Sequence, residues 1–303
     1  MSKTLKATLA GLLGYGIYGF SFFFTKVALN QCPPFIMLAV RFTLAFLILS
    51  IPVIFGKIRL SFKGKPTVKL LIMGFIQPVL YFITESYGIA LTSASLSGVI
   101  IGLVPVAGII FGAVFLREKC SAFQIICTAL SVAGVALTTT GGAEGFSTLG
   151  FILLIASVIS TTAFAILNRS VADKFTPYER TYVMTGLGSL CFAVIGLFTE
   201  GTDISLWIAP LKNTEVTVSI LYLAIVSSIC AFTLINYTLN HLTVGYTLIF
   251  SNFTSVISVT AGVLILGESF TPLQFFGVCV IILSVSAVSV YNLRKDNSRK
   301  IKQ

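Results

Sequence analysis

The chain has 303 residues, 56% of them hydrophobic and only 10% charged, with a mean hydropathy of +1.00 and a net charge of +10. A soluble domain carries about 25% charged residues, so this composition excludes a water-soluble globule and points to lipid as the solvent. Apolar residues run continuously instead of alternating in ~10-residue segments, which excludes a transmembrane barrel. In lipid the backbone must satisfy its own hydrogen bonds, and the runs therefore read as helices.

Ten apolar runs are predicted, at 7–29, 34–55, 68–91, 94–116, 122–140, 148–168, 177–199, 216–239, 244–266 and 272–293. Most match the ~20 residues a helix needs to cross a ~30 Å hydrocarbon core. The first has no small-residue cleavage site and reads as a retained helix, not a signal peptide. With the N-terminus cytoplasmic, the inner segments hold Lys3, Lys6, Lys57, Arg59, Lys63, Lys65, Lys69, Arg117, Lys119, Arg169, Lys174, Arg180, Arg294, Lys295, Arg299, Lys300 and Lys302. The outer loops hold only Lys212, while Lys26 and Arg41 lie inside helices. This asymmetry predicts ten crossings with both termini cytoplasmic, in a bacterial-type inner membrane. It also accounts for the pI of 9.4 without a nucleic-acid partner. The Thr140–Thr148 loop, with Gly141, Gly142 and Gly145, is too short for a domain linker, so one compact membrane domain is expected. Trp207, the only tryptophan, sits in the long outer loop Glu200–Glu215 as an interfacial anchor.

The chain is nearly written twice, 150 positions apart. Phe82 falls on Phe232, Tyr87 on Tyr237, Val106 on Val256, Gly112 on Gly262, Leu116 on Leu266, Glu118 on Glu268 and Gln124 on Gln274. Five crossings per half is an odd number, so the halves enter the membrane in opposite senses. The expected fold is an all-α integral membrane protein of ten transmembrane helices in two inverted five-helix repeats, 1–141 and 148–293, with a basic cytoplasmic tail at 294–303. Inverted repeats of this kind place a transporter's substrate site near the midplane, at their interface.

Glu85 is read as the only acidic residue inside a helix, and such residues are functional candidates by default. It lies roughly 9 Å from the outer end of its helix at 1.5 Å per residue, on a face with Gln77, Tyr81, Gly88 and Thr92. Two readings stand: it binds a substrate amine or carries a proton, or it pairs with Lys26 or Arg41 and fixes packing. Lys26 is near enough to a helix end to snorkel to the surface. Arg41, deeper, suits a carboxylate held bidentately or serves as partner to Glu85. The three together leave one positive charge, which favours a zwitterion or a carboxylate over a bare cation. Gly98-x-x-x-Gly102 and Gly108-x-x-x-Gly112 read as close-packing faces. Gly102 and Pro105 lie near the midplane, where opened backbone can meet substrate. Asn252, which matches Gly102, and Asn236 are buried amides in need of partners. Tyr15, Gly19, Phe22 and Lys26 share a face as a pocket wall or as ordinary packing.

Other matches fail on context. Gly14-Tyr-Gly16-Ile-Tyr-Gly19 lacks the strand that dinucleotide binding needs. The sequons at Asn168, Asn236 and Asn252 fall in helices. His241 reads as a solvated turn residue, and Glu118 and Glu268 as capping groups for the next helix. The six scattered cysteines are apolar fillers, and with one histidine neither metal nor cofactor is expected.

The first half reads Tyr87-Gly-Ile-Ala-Leu-Thr-Ser-Ala-Ser, Leu103-Val-Pro105, Phe115-Leu-Arg-Glu118-Lys and Gln124; the second reads Asn236-Tyr-Thr-Leu, Asn252, Leu266-Gly-Glu268 and Gln274. In these stretches the chain resembles the EamA family of the drug/metabolite transporter superfamily. Lys26 and Arg41-Phe42 also look like family positions, and the resemblance covers essentially the whole chain. It implies ten helices in two repeats and, as substrates, amino acids, related metabolites or amphiphilic toxins. The expected function is therefore a secondary active transporter, an exporter working by alternating access, as monomer or homodimer. It would be driven by a coupling proton or a substrate gradient, since no phosphate-binding loop is present. An integral membrane enzyme acting on lipid, or a receptor or scaffold, is the alternative; the enzyme lacks the clustered acid/base groups it needs. Ser255 stands where many members carry a second mid-helix proline, so the ninth helix is expected to be straighter than the fourth.

Overall fold

The computed structural model describes residues 3–115, 121–140, 147–248, 250–269 and 271–300. Arg117, Glu118 and Lys119, the glycines of the 141–145 loop, and Lys302 lie outside them. Among the described residues the regular structure is entirely helical. Helix α1 spans Lys3–Leu29 and α2 Pro34–Ile54. The third run is α3 (Thr67–Gly74), a π-helical segment (Phe75–Tyr81) and α4 (Phe82–Ala90). The fourth is split into α5 (Ala94–Ile101) and α6 (Val104–Phe115), and α7 covers Ala122–Thr140. In the second half come α8 (Thr148–Val171), α9 (Pro177–Thr199) and a short α10 (Ile204–Ile208). They are followed by α11 (Thr214–Leu221), a π segment (Tyr222–Ala231), α12 (Phe232–His241), α13 (Val244–Leu248), α14 (Ser251–Leu264) and α15 (Pro272–Lys300). Among the described residues seven helical stretches are long and apolar enough to cross a membrane by length and composition; α14 and parts of α7 and α15 are shorter apolar helices.

Local chemistry sets the ends. Ser93 accepts from the Leu96 N–H, Ser147 from Gly150, and Thr176 forms a reciprocal capping box with Glu179. Gln124 with Ser121, and Gln274 with Thr271, start their helices in the same way. Pro78, which has no N–H to give, lies inside the first π segment. Gly267 turns the chain after α14 at φ +67°, a conformation most side chains avoid.

The two halves interdigitate. Helix α1 packs on α12 and α14 of the other half, and α8 packs on α4 and α6; α2 pairs with α9, α5 with α14, and α7 with α15. Small residues make the close approaches possible. A methyl group at Gly98 or Gly102 would overlap Ser258 or Ser255, and Gly108 faces Leu248. Gly14 meets Leu234 and Ile235, Gly16 meets Phe253, and Gly19 meets Ile257, as a close-packing face does.

Two sequence expectations fail here. The ninth run is interrupted, α13 ending at Leu248 and α14 starting at Ser251. Ser255 keeps its own N–H in the helix and sends its hydroxyl across to the Gly98 carbonyl at 2.7 Å, and the interruption falls earlier. Helix α15 runs on to Lys300, past the expected end at 293.

Candidate functional site

Glu85 lies in the first turn of α4, directly after the π segment, and is 2% exposed. One turn back, the Tyr81 hydroxyl donates to Oε1 at 2.8 Å. From α1, the Tyr18 hydroxyl donates to the same oxygen at 3.2 Å. Oε2 is buried with no hydrogen-bond partner. A carboxylate away from water is tolerable only when hydrogen-bonded, and bonds to an ionised group are about twice as strong as neutral ones. The two phenols are thus what makes an acid possible at this depth, and the open oxygen gives it residual capacity.

Neither basic candidate pairs with it. Among the described residues the one ion pair is Lys65–Glu179, at 3.5 Å. Arg41 is fully buried; its Nε donates to Ser228 at 2.9 Å and its Nη2 to Ser227 at 3.1 Å. Its guanidinium lies 4.5 Å from the Phe82 ring centroid and 5.4 Å from that of Phe42, a double cation–π contact. Lys26 does not snorkel freely. Its Nζ donates to the carbonyls of Ile89 (3.0 Å) and Thr92 (2.7 Å), closing the C-terminal end of α4, where a cation also meets the negative end of the helix dipole.

A cavity of about 30 Å³ lies beside this cluster. Tyr15 and Tyr18 of α1, Gln77 and Tyr81 of the third run, and Ile101 and Val104 form the wall from the first half. Thr161, Phe164 and Ala165 of α8, Phe232 and Ile235 of α12, and Ser251 and Thr254 of α14 form the wall from the second. Ile101 and Ser251, and Val104 and Thr254, are 150 positions apart, so equivalent turns face each other across the space. Gln77 Oε1 and Thr161 Oγ1 are buried there without partners.

Of the residues singled out from sequence, Glu85, Tyr81 and Tyr15 come together, with Arg41 behind Phe82. Gly102 and Pro105 flank the α5–α6 interruption beside the cavity; Gly102 is pressed against Ser255, and Pro105 occupies the first turn of α6. Asn252 faces away, reaching Ser286 at 3.4 Å. Asn236 belongs to a separate cluster: its amide accepts from Asn168 at 2.5 Å and donates to Thr181 at 2.9 Å. Glu268 does not cap its own next helix; its carboxylate accepts from the Ala94 and Ser95 N–H groups, at 2.8 and 2.9 Å, across the interface between halves. His241 is exposed, and Cys32 is buried, burial pushing its thiol up to about 12.

Sequence reading missed three features. Tyr18 was passed over, although it lies one turn from Tyr15 and Phe22. Ser227 and Ser228 have no charge to draw attention. Arg180, counted as an inner-loop charge, is wholly buried; it donates to the Asn168 and Asn240 side chains and to the Asn236 carbonyl. The Thr176–Glu179 capping box marks a helix start and could have shown that Arg180 is already inside it.

The arrangement holds an acid, two phenols and unpartnered polar atoms next to an aromatic-walled space. Among the described residues no group of three His, Cys, Asp or Glu could hold a metal. Such a site can bind and release, and exchange a proton. Comparison with known proteins agrees with a membrane carrier. The profile of the EamA-like transporter family matches residues 5–140 and 148–290. The uncharacterized transporter YcxC of Bacillus subtilis (strain 168) is 30% identical over 298 residues, covering 97% of this chain and 95% of the relative. A probable amino-acid metabolite efflux pump of Escherichia coli (strain K12) is 24% identical over 308 residues, 98% of each. A solved crystal structure superposes with a TM-score of 0.62 over 93% of this chain and 98% of the other at 16% identity, which speaks to the fold alone. With two family matches that together span nearly its whole length, this multi-pass membrane chain belongs to the EamA-like transporter family.

Proposed function

We propose that the protein is a secondary active exporter of small metabolites, working by alternating access of two inverted five-helix halves, 1–141 and 148–293. The observation that carries this reading is the cavity itself. It lies between equivalent helices of the two halves and has a buried acid, Glu85, held behind its wall by the lining residues Tyr18 and Tyr81. At about 30 Å³ it has room for a water or two. A metabolite requires the halves to part, as alternating access does.

Inversion has its own support. Lys26 donates to the carbonyls of Ile89 and Ala90. Arg169, 143 positions after Lys26, donates to those of Leu239 (3.0 Å) and Asn240 (2.9 Å), each 150 positions after its counterpart. The same fastening is thus made twice, once in each half. With ten crossings the two would lie at opposite membrane faces, and the basic loops would put Arg169 and both termini inside.

Glu85 is the proposed coupling group. In liposomes the wild-type protein should exchange a preloaded substrate and accumulate it under an imposed proton gradient. Glu85→Gln should retain exchange and lose accumulation. Gradient-driven accumulation at the wild-type rate in that variant would remove Glu85 from coupling. Absence of flux for every amino acid and amine tried would remove the transporter assignment for this chain.

A further inference from the structure

The hydrogen-bonding inventory of the cavity identifies what it lacks. Four of its hydroxyls already donate inside the protein: Tyr18 and Tyr81 to Glu85, Ser251 to the Leu248 carbonyl at 2.7 Å and Thr254 to the Tyr15 carbonyl at 2.9 Å. Two lining atoms are left buried and unpartnered: Gln77 Oε1, an acceptor, and Thr161 Oγ1, a hydroxyl that can accept as well as donate; Glu85 Oε2 behind the tyrosines is a further unpartnered acceptor. Among the described residues no cation lines the space. Arg41 is engaged with Ser227 and Ser228 over Phe82, Lys26 with the end of α4, and Arg180 with three acceptors. The remaining wall is aromatic: Tyr15, Tyr18, Tyr81, Phe164 and Phe232.

An unsatisfied buried acceptor costs about 1–3 kcal/mol, and aromatic faces attract cations. We infer that the cavity takes the protonated amine of an amphiphilic ligand whose carboxyl group is absent or masked, and that it discriminates against free carboxylates. The ammonium head, about the size of a water, satisfies Gln77 and Thr161 in the space present; the apolar body lies against the rings once the helices part. A carboxylate would find no cation among the lining residues and would face the Gln77 acceptor with the Glu85 acid behind the wall. The net positive charge that Glu85, Lys26 and Arg41 suggested from sequence is therefore not presented to the ligand, because both cations are turned to other partners. This inference rests on the cavity being the substrate site.

The test uses the full-length protein in detergent and four probes on one phenyl skeleton: 2-phenylethylamine, phenylalaninamide, phenylalanine and 3-phenylpropionate. Calorimetric titration should give the two amines Kd values about tenfold or more below that of phenylalanine, with 3-phenylpropionate weakest. Thr161→Val, which preserves shape, and Gln77→Leu should each weaken the amines by about tenfold and narrow the gap to phenylalanine. If Gln77→Leu does not fold, Thr161→Val decides. The inference is overturned if phenylalanine or 3-phenylpropionate binds as tightly as the amines, if no probe binds, or if the variants bind amines like wild type. Amines that bind but show no exchange in liposomes would leave the ligand class standing and remove the transport reading. Flux of another compound without amine binding would do the reverse.

Discussion

The third run and the eighth share one scaffold and differ in chemistry. Both contain a π-helical segment, both pack against α1 or α8, and both end under a basic side chain from that helix. At the cavity, however, Glu85 in the first half corresponds to Ile235 in the second, and Tyr81 to Ala231. Tyr18 of α1 corresponds, 143 positions on, to Thr161 of α8. The acid and both phenols that hold it are present together in one half and absent together from the other. The difference teaches that the packing contacts and the polar cluster are separable units, and that the cluster works only as a set.

The comparison breaks most sharply if the acid is moved without its partners. Ile235→Glu puts a carboxyl group where only Ala231 and Thr161 stand in for the phenols. It should lower stability by about 3 kcal/mol, as for an acid at mid-membrane, seen as a lower unfolding midpoint in detergent. A variant as stable as wild type would show that the phenols are not what makes the acid tolerable. Next, removing single phenols should rank by bond length. Tyr81→Phe, losing the 2.8 Å bond, should cost about 2 kcal/mol in the apparent affinity for coupled substrate, and Tyr18→Phe, losing the 3.2 Å bond, less. Equal losses, measured as concentration dependence of liposome flux, would deny the ordering. The shared scaffold predicts equality elsewhere: Lys26→Ala and Arg169→Ala should each lower stability by about 1 kcal/mol. A large inequality between their unfolding midpoints would weaken the case for inversion. The smallest effect is expected at exposed His241, where alanine should shift stability by less than about 0.5 kcal/mol.

The helices were legible because lipid leaves an apolar chain little choice: 68–91 was read for a run observed at 67–90, and 216–239 for one at 214–241. The π segments left no mark, since widening a helix by one residue per turn changes neither hydropathy nor composition. The equivalence of Lys26 and Arg169 was hidden because the repeat offset drifts. Helix α9 has 23 residues against 21 for α2, the connection 200–213 is two longer than 55–66, and the second π segment has 10 residues against 7. A fixed offset of 150 therefore aligns the chain from α4 onward, where Phe82 meets Phe232, but misses the helices before it. Glu85 stood out from sequence because charge in an apolar run is conspicuous. Tyr18, Ser227 and Ser228 did not, since hydroxyls are common in membrane helices and only the fold shows which of them meet an acid or a guanidinium.

Arg180 has a consequence for how the chain reaches this structure. In the proposed orientation it lies just inside the start of a helix, among the charges that keep that end on the cytoplasmic side while the chain is being inserted. In the finished protein it is sealed among Asn168, Asn236 and Asn240, joining α8, α9 and α12. In that orientation the same guanidinium would be an address label first and a rivet afterwards. Replacing it would disturb two stages separated in time: a lysine would keep the address and lose the planar, multiply bonded fastening, whereas glutamine would lose the address as well.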